Sequence, residues 1–324
     1  MKKACLLVLV FLMAVCFALP AAAFEPGACE CIAPANPGGG WDFTCRSVGQ
    51  LLYDLKLVPT PVKVVNMPGG GGGVAYAHVI TQRDKDENLL VAASTATTSR
   101  LAGKQFKDFT ADDVRWVAAL GADFGAIAVK ADSPYKTLDD LVKAWREKPE
   151  ALAIGGGSAV GGQDHLKVLV LANGTGVDIK KLKYVHFAGG GEALTSLLGG
   201  FIQVFPGDVS EVKPMLEAGK IRVLAVLSPE RIPDPVYKDI PTAKELGYDV
   251  EWTVFRGFFM PKDVPDDVYN WWVEALHKVE QSKEWAEIRQ ANAMAPFWKG
   301  GADFDQYVKK QITQLQTLIK ELGL

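Results

Sequence analysis

The chain has 324 residues, 35 Lys and Arg against 38 Asp and Glu, a formal net charge of -3 and 48% hydrophobic residues. That length accommodates two domains, each with a core of its own. A charge balance so near neutral argues against nucleic acid or an anionic membrane surface as a partner.

Met1-Lys2-Lys3, the apolar run from Ala4 to Leu19 and Pro20-Ala21-Ala22-Ala23 read as a secretory signal peptide over residues 1–23, cut after Ala23. A lipid-modified Cys16 ranks below simple cleavage, because Val15 is a poor residue before a lipidated cysteine. Cleavage removes Lys2 and Lys3 and no acid, so the net charge moves from -3 to -5. An anionic ligand must then be held locally, by backbone dipoles and a few side chains. Export leaves Cys29, Cys31 and Cys45 in an oxidising compartment, where a disulfide is expected. Cys29 and Cys31 stand too close to pair in extended chain, so the bridge is Cys31–Cys45 or Cys29–Cys45, with one thiol left over. No Cys or His pair stands nearby at zinc-ligand spacing.

Cys31-Ile32-Ala33-Pro34 reads as a short strand, Pro37-Gly38-Gly39-Gly40-Trp41-Asp42 as a glycine turn and Ser47 to Tyr53 as a helix. Strand, glycine turn and helix together present free N–H groups and a positive helix end to an anion. The device recurs at Asn66–Gly73, Gly155–Gly162 and Phe187–Glu192. At least three of these loops are expected to converge on one small anionic ligand, a carboxylate. Between and beyond them short apolar runs alternate with helical patterns. Strands are predicted at Val62–Val65, Leu89–Ala93, Val117–Leu120, Ala126–Val129, Ala151–Ile154, Tyr184–Phe187, Ile202–Phe205, Arg222–Leu227 and Thr253–Met260. Helices are predicted at Val74–Ile80, Thr137–Arg146, Gln163–Asn173, Glu192–Leu198, Asp266–Val279 and Phe304–Leu322, and a polar turn after Ala93. The 137–146 helix carries Leu138, Leu141, Val142 and Trp145 on one face, with Thr137 as its cap. The alternation predicts an α/β fold of mostly parallel strands, with ligand loops beyond the strand carboxyl ends.

Catalytic chemistry finds little support. His78, His165, His186 and His277 are scattered, and no Gly-x-Ser-x-Gly elbow, His-Glu-x-x-His pair or nucleotide P-loop occurs. Ser158 reads as a helix cap whose hydroxyl also meets a ligand oxygen; a hydrolase using Ser158 and His165 is a minor alternative. Asp42 is either a helix cap bonded to Thr44 or Cys45 or a ligand contact. Trp41 is an apolar wall for the ligand or a packing residue between domains. No cofactor and no metal are expected.

The ordered set of motifs resembles the tripartite tricarboxylate transporter substrate-binding proteins, the Bug/TctC family. It comprises Pro37–Asp42 with Arg46, Asn66–Gly72, Gly189–Leu194 with Leu197–Gly200, Ala218–Val226, Asp239–Gly247 and Phe258–Pro261. The resemblance implies a two-domain α/β periplasmic binding protein of type II-like, Venus-flytrap form with two crossover strands, near Gly121–Val129 and Val226–Thr253. Domain 1 would be 24–121 plus 254–324, and domain 2 would be 122–253. It further implies capture of a small carboxylate and delivery to a membrane permease by a periplasmic, monomeric protein that is not an enzyme. A ligand-sensing subunit of a signalling receptor is the alternative. The implied ligand contacts are Gly39, Gly40, Trp41, Asp42, Ser94 and Thr95 from the first domain, and Ser158, Ala159, Gly190 and Asp208 from the second. Trp41 is bulkier than the family's usual residue there. Arg256, where the family more often has an aromatic, is read as an ordinary surface or ion-pair residue.

Overall fold

The computed structural model describes residues 24–323; the signal-peptide reading at 1–23 lies outside the described residues. In chain order it comprises β1 (Glu30–Ala33), α1 (Gly40–Asp54), β2 (Lys63–Asn66), α2 (Gly73–Gln82), β3 (Leu89–Ser94), α3 (Thr95–Ala102), β4 (Val114–Phe124) and β5 (Ala126–Lys130). Then come α4 (Leu138–Glu147), β6 (Ala153–Gly156), α5 (Gln163–Asn173), β7 (Lys183–His186), α6 (Gly190–Leu198), α7 (Val209–Glu217) and β8 (Ile221–Val226). The chain closes with β9 (Thr253–Pro261), α8 (Asp266–Glu280), α9 (Lys283–Ala291), β10 (Lys299–Gly300) and α10 (Ala302–Glu321).

Six strands form the main sheet in the order β10-β4-β9-β3-β1-β2. Side chains alternate between its faces. Cys31, Ala33, Leu90, Ala92, Phe258 and Met260 enter one apolar cluster, while Ile32, Leu89, Val91, Ala93 and Phe259 enter the other. With helices covering both faces, β3 is buried along its whole length and reads as an apolar run from Leu89 to Ala93, closed by Ser94. The expectation of mostly parallel strands is corrected here. β1 pairs in parallel with β2 and β3, but β9 lies antiparallel between β3 and β4, so the sheet is mixed.

The second half holds an antiparallel β5-β8 pair and a parallel β6-β7 pair. The segment predicted as a strand at 202–205 joins them through two isolated bridges, Val204 to Ile154 and Phe205 to Ala128. Helix α4 forms as expected. Thr137 and Asp140 cap each other reciprocally, at 3.1 and 3.0 Å, and Leu138, Leu141, Val142 and Trp145 are buried. The chain leaves the main sheet after β4 and returns to it at β9, and the two crossings touch: Gly125 N–H donates to Trp252 O at 3.0 Å. Helix α10 spans both halves, with Phe304 and Val308 packed under the main sheet and Leu315, together with Leu322 just past the helix end, in the core of the second half.

Candidate functional site

All four glycine loops line one cavity of about 210 Å³. Gly39 and Gly40 come from the first, Pro68 to Gly71 from the second, Gly157 and Ser158 from the third and Ala188 to Gly190 from the fourth. The approach is close enough to exclude side chains. A Cβ on Gly157 would lie 2.2 Å from the backbone nitrogen of Gly190.

The cavity is also where five helices begin. Its wall includes Gly40 and Trp41 at the start of α1, Ser94 and Ala96 at that of α3, Gln163 and Asp164 of α5, Gly190 of α6, and Asp208 at the cap of α7. Each start brings the positive end of a dipole; α1 and α6 begin without a side-chain cap, whereas Ser94, Ser158 and Asp208 cap α3, α5 and α7. Five dipole ends on one small cavity favour negative charge there.

Charged side chains form its floor. Arg256 of β9, 3% exposed, donates from Nη2 to Asp123 Oδ2 at 2.6 Å and to Asp208 Oδ2 at 3.0 Å. Lys167 of α5, fully buried, donates to Asp164 Oδ1 at 2.9 Å and Asp208 Oδ1 at 2.5 Å, and to the carbonyls of Pro206 and Gly207. Burial works against ionising Asp208, but Lys167 and Arg256 together hold its carboxyl below its ordinary range. Burial pushes Asp123 and Asp164 upward instead, each having one cation. Among the described residues no group of three His, Cys, Asp or Glu is placed to hold a metal ion; two cations bridge the central carboxylates.

Arg100 of α3 differs from these. It is 4% exposed and lines the cavity. Its Nη1 donates to Gln105 Oε1, yet no carboxylate among the described residues lies within ion-pair distance. Burial lowers its proton affinity below the ordinary guanidinium value. A nearly buried cation without a counter-ion, facing a cavity ringed by helix starts, is arranged to meet a charge from outside.

The residues singled out from the sequence fall into two groups. Gly39, Gly40, Trp41, Ser94, Ser158, Gly190 and Asp208 line the cavity. Asp42, Thr95 and Ala159 lie outside its wall. The Asp42 carboxylate accepts from Gly38 N–H, from Arg46 of α1 and from Asn66 at the end of β2, so its acceptor capacity is spent on these rather than on Thr44 or Cys45. Thr95 points away, its hydroxyl donating to Thr253 O at 3.0 Å. Ser158 Oγ accepts from Asp164 N–H at 2.9 Å, which caps α5 from outside the helix. His165 does not pair with it; its Nδ1 accepts from Gly161 N–H at 3.0 Å and its ring packs on Tyr184. Arg256 is an ion-pair residue, but a buried one in the cavity wall. Arg100, Gln163, Asp164, His186 and Glu211 also line the cavity and carried no sequence signal of their own. The first glycine loop is pinned by Cys31–Cys45, with a Cα separation of 5.8 Å, and Cys29 is the buried free thiol.

Residues 53–324 match the family described as "Tripartite tricarboxylate transporter family receptor". The chain belongs to that family. It is 27% identical to a TctC solute-binding protein from Polaromonas, solved without ligand, covering 91% of this chain and 98% of the other at a TM-score of 0.65. The BugT protein of Bordetella pertussis is 24% identical, over 91% of this chain and 89% of its own. MatC from Rhodopseudomonas palustris, solved with bound malate, shares the fold at a TM-score of 0.81 and 20% identity, over 90% of this chain and 98% of its own. The architecture of this TctC-family chain is thus that of the two-domain periplasmic binding proteins.

Proposed function

We propose that this TctC-family protein is a periplasmic receptor that captures a small carboxylate in the cavity and hands it to a tripartite tricarboxylate transporter permease. The observation that carries the reading is Arg100, a nearly buried cation without a counter-ion on a wall built from five helix starts. The cavity, at about 210 Å³, is smaller than the ~300–1,000 Å³ of drug-sized sites, and so suits a ligand of a few carbons. Malate bound by MatC supports the same class.

The domains we assign are 24–121 with 254–324 and 122–253, the C-terminal part of α10 reaching across onto the second core, with the hinge at the hydrogen-bonded crossings beside Gly125 and Trp252. In the open state the anion enters between the glycine loops. On closure the water around it is replaced by N–H donors from both domains and by Arg100. A micromolar site needs about -8 kcal/mol, within reach of several charge-assisted hydrogen bonds.

A thermal-shift panel of the mature chain tests this, using mono-, di- and tricarboxylates with neutral amides as controls. A ligand at a hundred times its dissociation constant adds about 2.7 kcal/mol, and stabilisation by carboxylates alone is expected. A flat panel, with mass spectrometry showing no co-purified ligand, would overturn the reading.

A further inference from the structure

The carboxylates around the cavity outnumber the cations that neutralise them. Lys167 serves Asp164 and Asp208, and Arg256 serves Asp123 and Asp208. Glu211, on the first turn of α7 and in the cavity wall, is the fourth, and among the described residues it has no ion-pair partner. Its Oε2 accepts the N–H of Asp208 at 3.2 Å. Its Oε1 faces the fourth glycine loop, 2.6 Å from where a Cβ on Gly190 would stand. The carboxyl therefore stands against the start of α6, where an incoming anion meets the N–H groups of that helix.

An ionised Glu211 there would repel the ligand that Arg100 attracts; a protonated one is an O–H donor. The surroundings favour the proton. Burial and the charges of Asp208 and Asp164 outweigh Lys167 and Arg256 and push Glu211 up to about 8.

We propose that Glu211 holds the captured anion through a shared proton, donating its O–H to a ligand carboxylate oxygen, so that binding takes up one proton wherever free Glu211 is ionised. This rests on the carboxylate-receptor reading and adds a residue that sets its pH range. The arriving negative charge tightens the proton on Glu211, and by reciprocity the proton tightens the anion. Affinity is then level at neutral pH and below, and falls about tenfold per pH unit once pH exceeds the titration of free Glu211. The other charged or titratable groups facing the cavity are Asp164 and Asp208 in their ion pairs, Arg256, Arg100 and the exposed His186. His186→Asn is therefore the control.

The test is calorimetric binding of malate and succinate to the mature wild type, Glu211→Gln and His186→Asn, from about pH 6 to about pH 9.5. Wild type should bind with constant affinity up to about pH 7 and about 30-fold more weakly at about pH 9.5, the factor expected from linkage; His186→Asn, whatever its affinity at pH 6, should keep that same fall. Near pH 8.5 the wild-type binding heat should vary with the ionisation enthalpy of the buffer, the sign of proton uptake. Glu211→Gln should bind within about threefold of wild type at pH 6, since the amide still donates, and lose the slope. Binding with the same slope in Glu211→Gln, or no slope in wild type, overturns the role of Glu211 and leaves the receptor reading standing. Failure of every carboxylate to bind at pH 6 overturns the receptor reading itself. Carboxyl-¹³C NMR of glutamate-labelled wild type needs neither ligand nor variant. One glutamate titrating near pH 8 is expected, and all of them titrating near the ordinary ~4.3 would overturn the proposal.

Discussion

The guanidinium of Arg256 occupies the space that a side chain at Gly40 would need: a Cβ there would stand 2.1 Å from Nη1. Asp123 and Asp208 hold the guanidinium from its other side, so it cannot step back. Gly40→Ala must displace either the start of α1 or the ion-paired floor. A loss of about 1–3 kcal/mol, the usual cost of overpacking, is expected in urea unfolding, and an unchanged midpoint would show that the floor gives way freely. Arg256→Met should cost more, about 3–5 kcal/mol, because it leaves buried carboxylates short of a cation.

Arg100 should behave in the opposite way. Its burial without a carboxylate partner is a cost to the empty protein. Arg100→Met is expected to leave the unliganded melting temperature unchanged or higher, while weakening binding of the best carboxylate from the panel at least tenfold, the worth of a charge-assisted hydrogen bond. Loss of stability with retained affinity would place Arg100 outside the binding machinery.

His165 makes stability depend on acid. Burial pushes its imidazole down to about 4, against an ordinary value of about 6.5 in the unfolded chain. The unfolded state therefore takes up the proton first, and the stability that neutral His165 contributes is lost as pH falls from about 6.5 towards 4. Glu211 runs the other way: its raised folded value makes stability fall as pH rises from the unfolded value of about 4.3 to about 8. Urea unfolding at about pH 7 and pH 4.5 should show a steeper acid loss in wild type than in His165→Asn, whose Oδ1 can still accept from Gly161. Equal slopes would mean that His165 titrates as in the unfolded chain.

The Cys31–Cys45 bridge spans 14 residues and ties β1 to α1 around the first glycine loop. Closing a loop of that size stabilises by about 3 kcal/mol in the chain-entropy model. The double Ser variant should unfold earlier by a comparable amount. In the native protein Cys29 should resist thiol reagents, because burial and Asp86 push its thiol up to about 11. Rapid labelling before unfolding would contradict the buried placement.

What could be read beforehand was what is local. Glycine clusters are a contiguous signal, and all four loops do face one cavity. Apolar periodicity located α4, α5, α8 and α10 to within a few residues. Helix α3 was read as a polar turn because Thr95-Ala96-Thr97-Thr98-Ser99 is a poor helix former. It forms because Ser94 and Thr97 cap it and α10 covers it, with Thr98 bonded to Gln311. Helix α7 carries Pro214 in its interior, which hid it in the same way. The charged floor was illegible for a different reason. Asp123 and Arg256 are 133 positions apart, and only the antiparallel insertion of β9 beside β4 brings them together.

The cavity wall draws on stretches from Pro34 to Arg256, most of the length of the chain. No short fragment holds an outline of it, and Asp208 and Arg256 come late in the chain. A fragment that stops short of Asp208 and Arg256 therefore lacks part of the wall, however many of the glycine loops it contains. Solute binding would therefore report a complete wall, and so would separate the full chain from one clipped before Arg256.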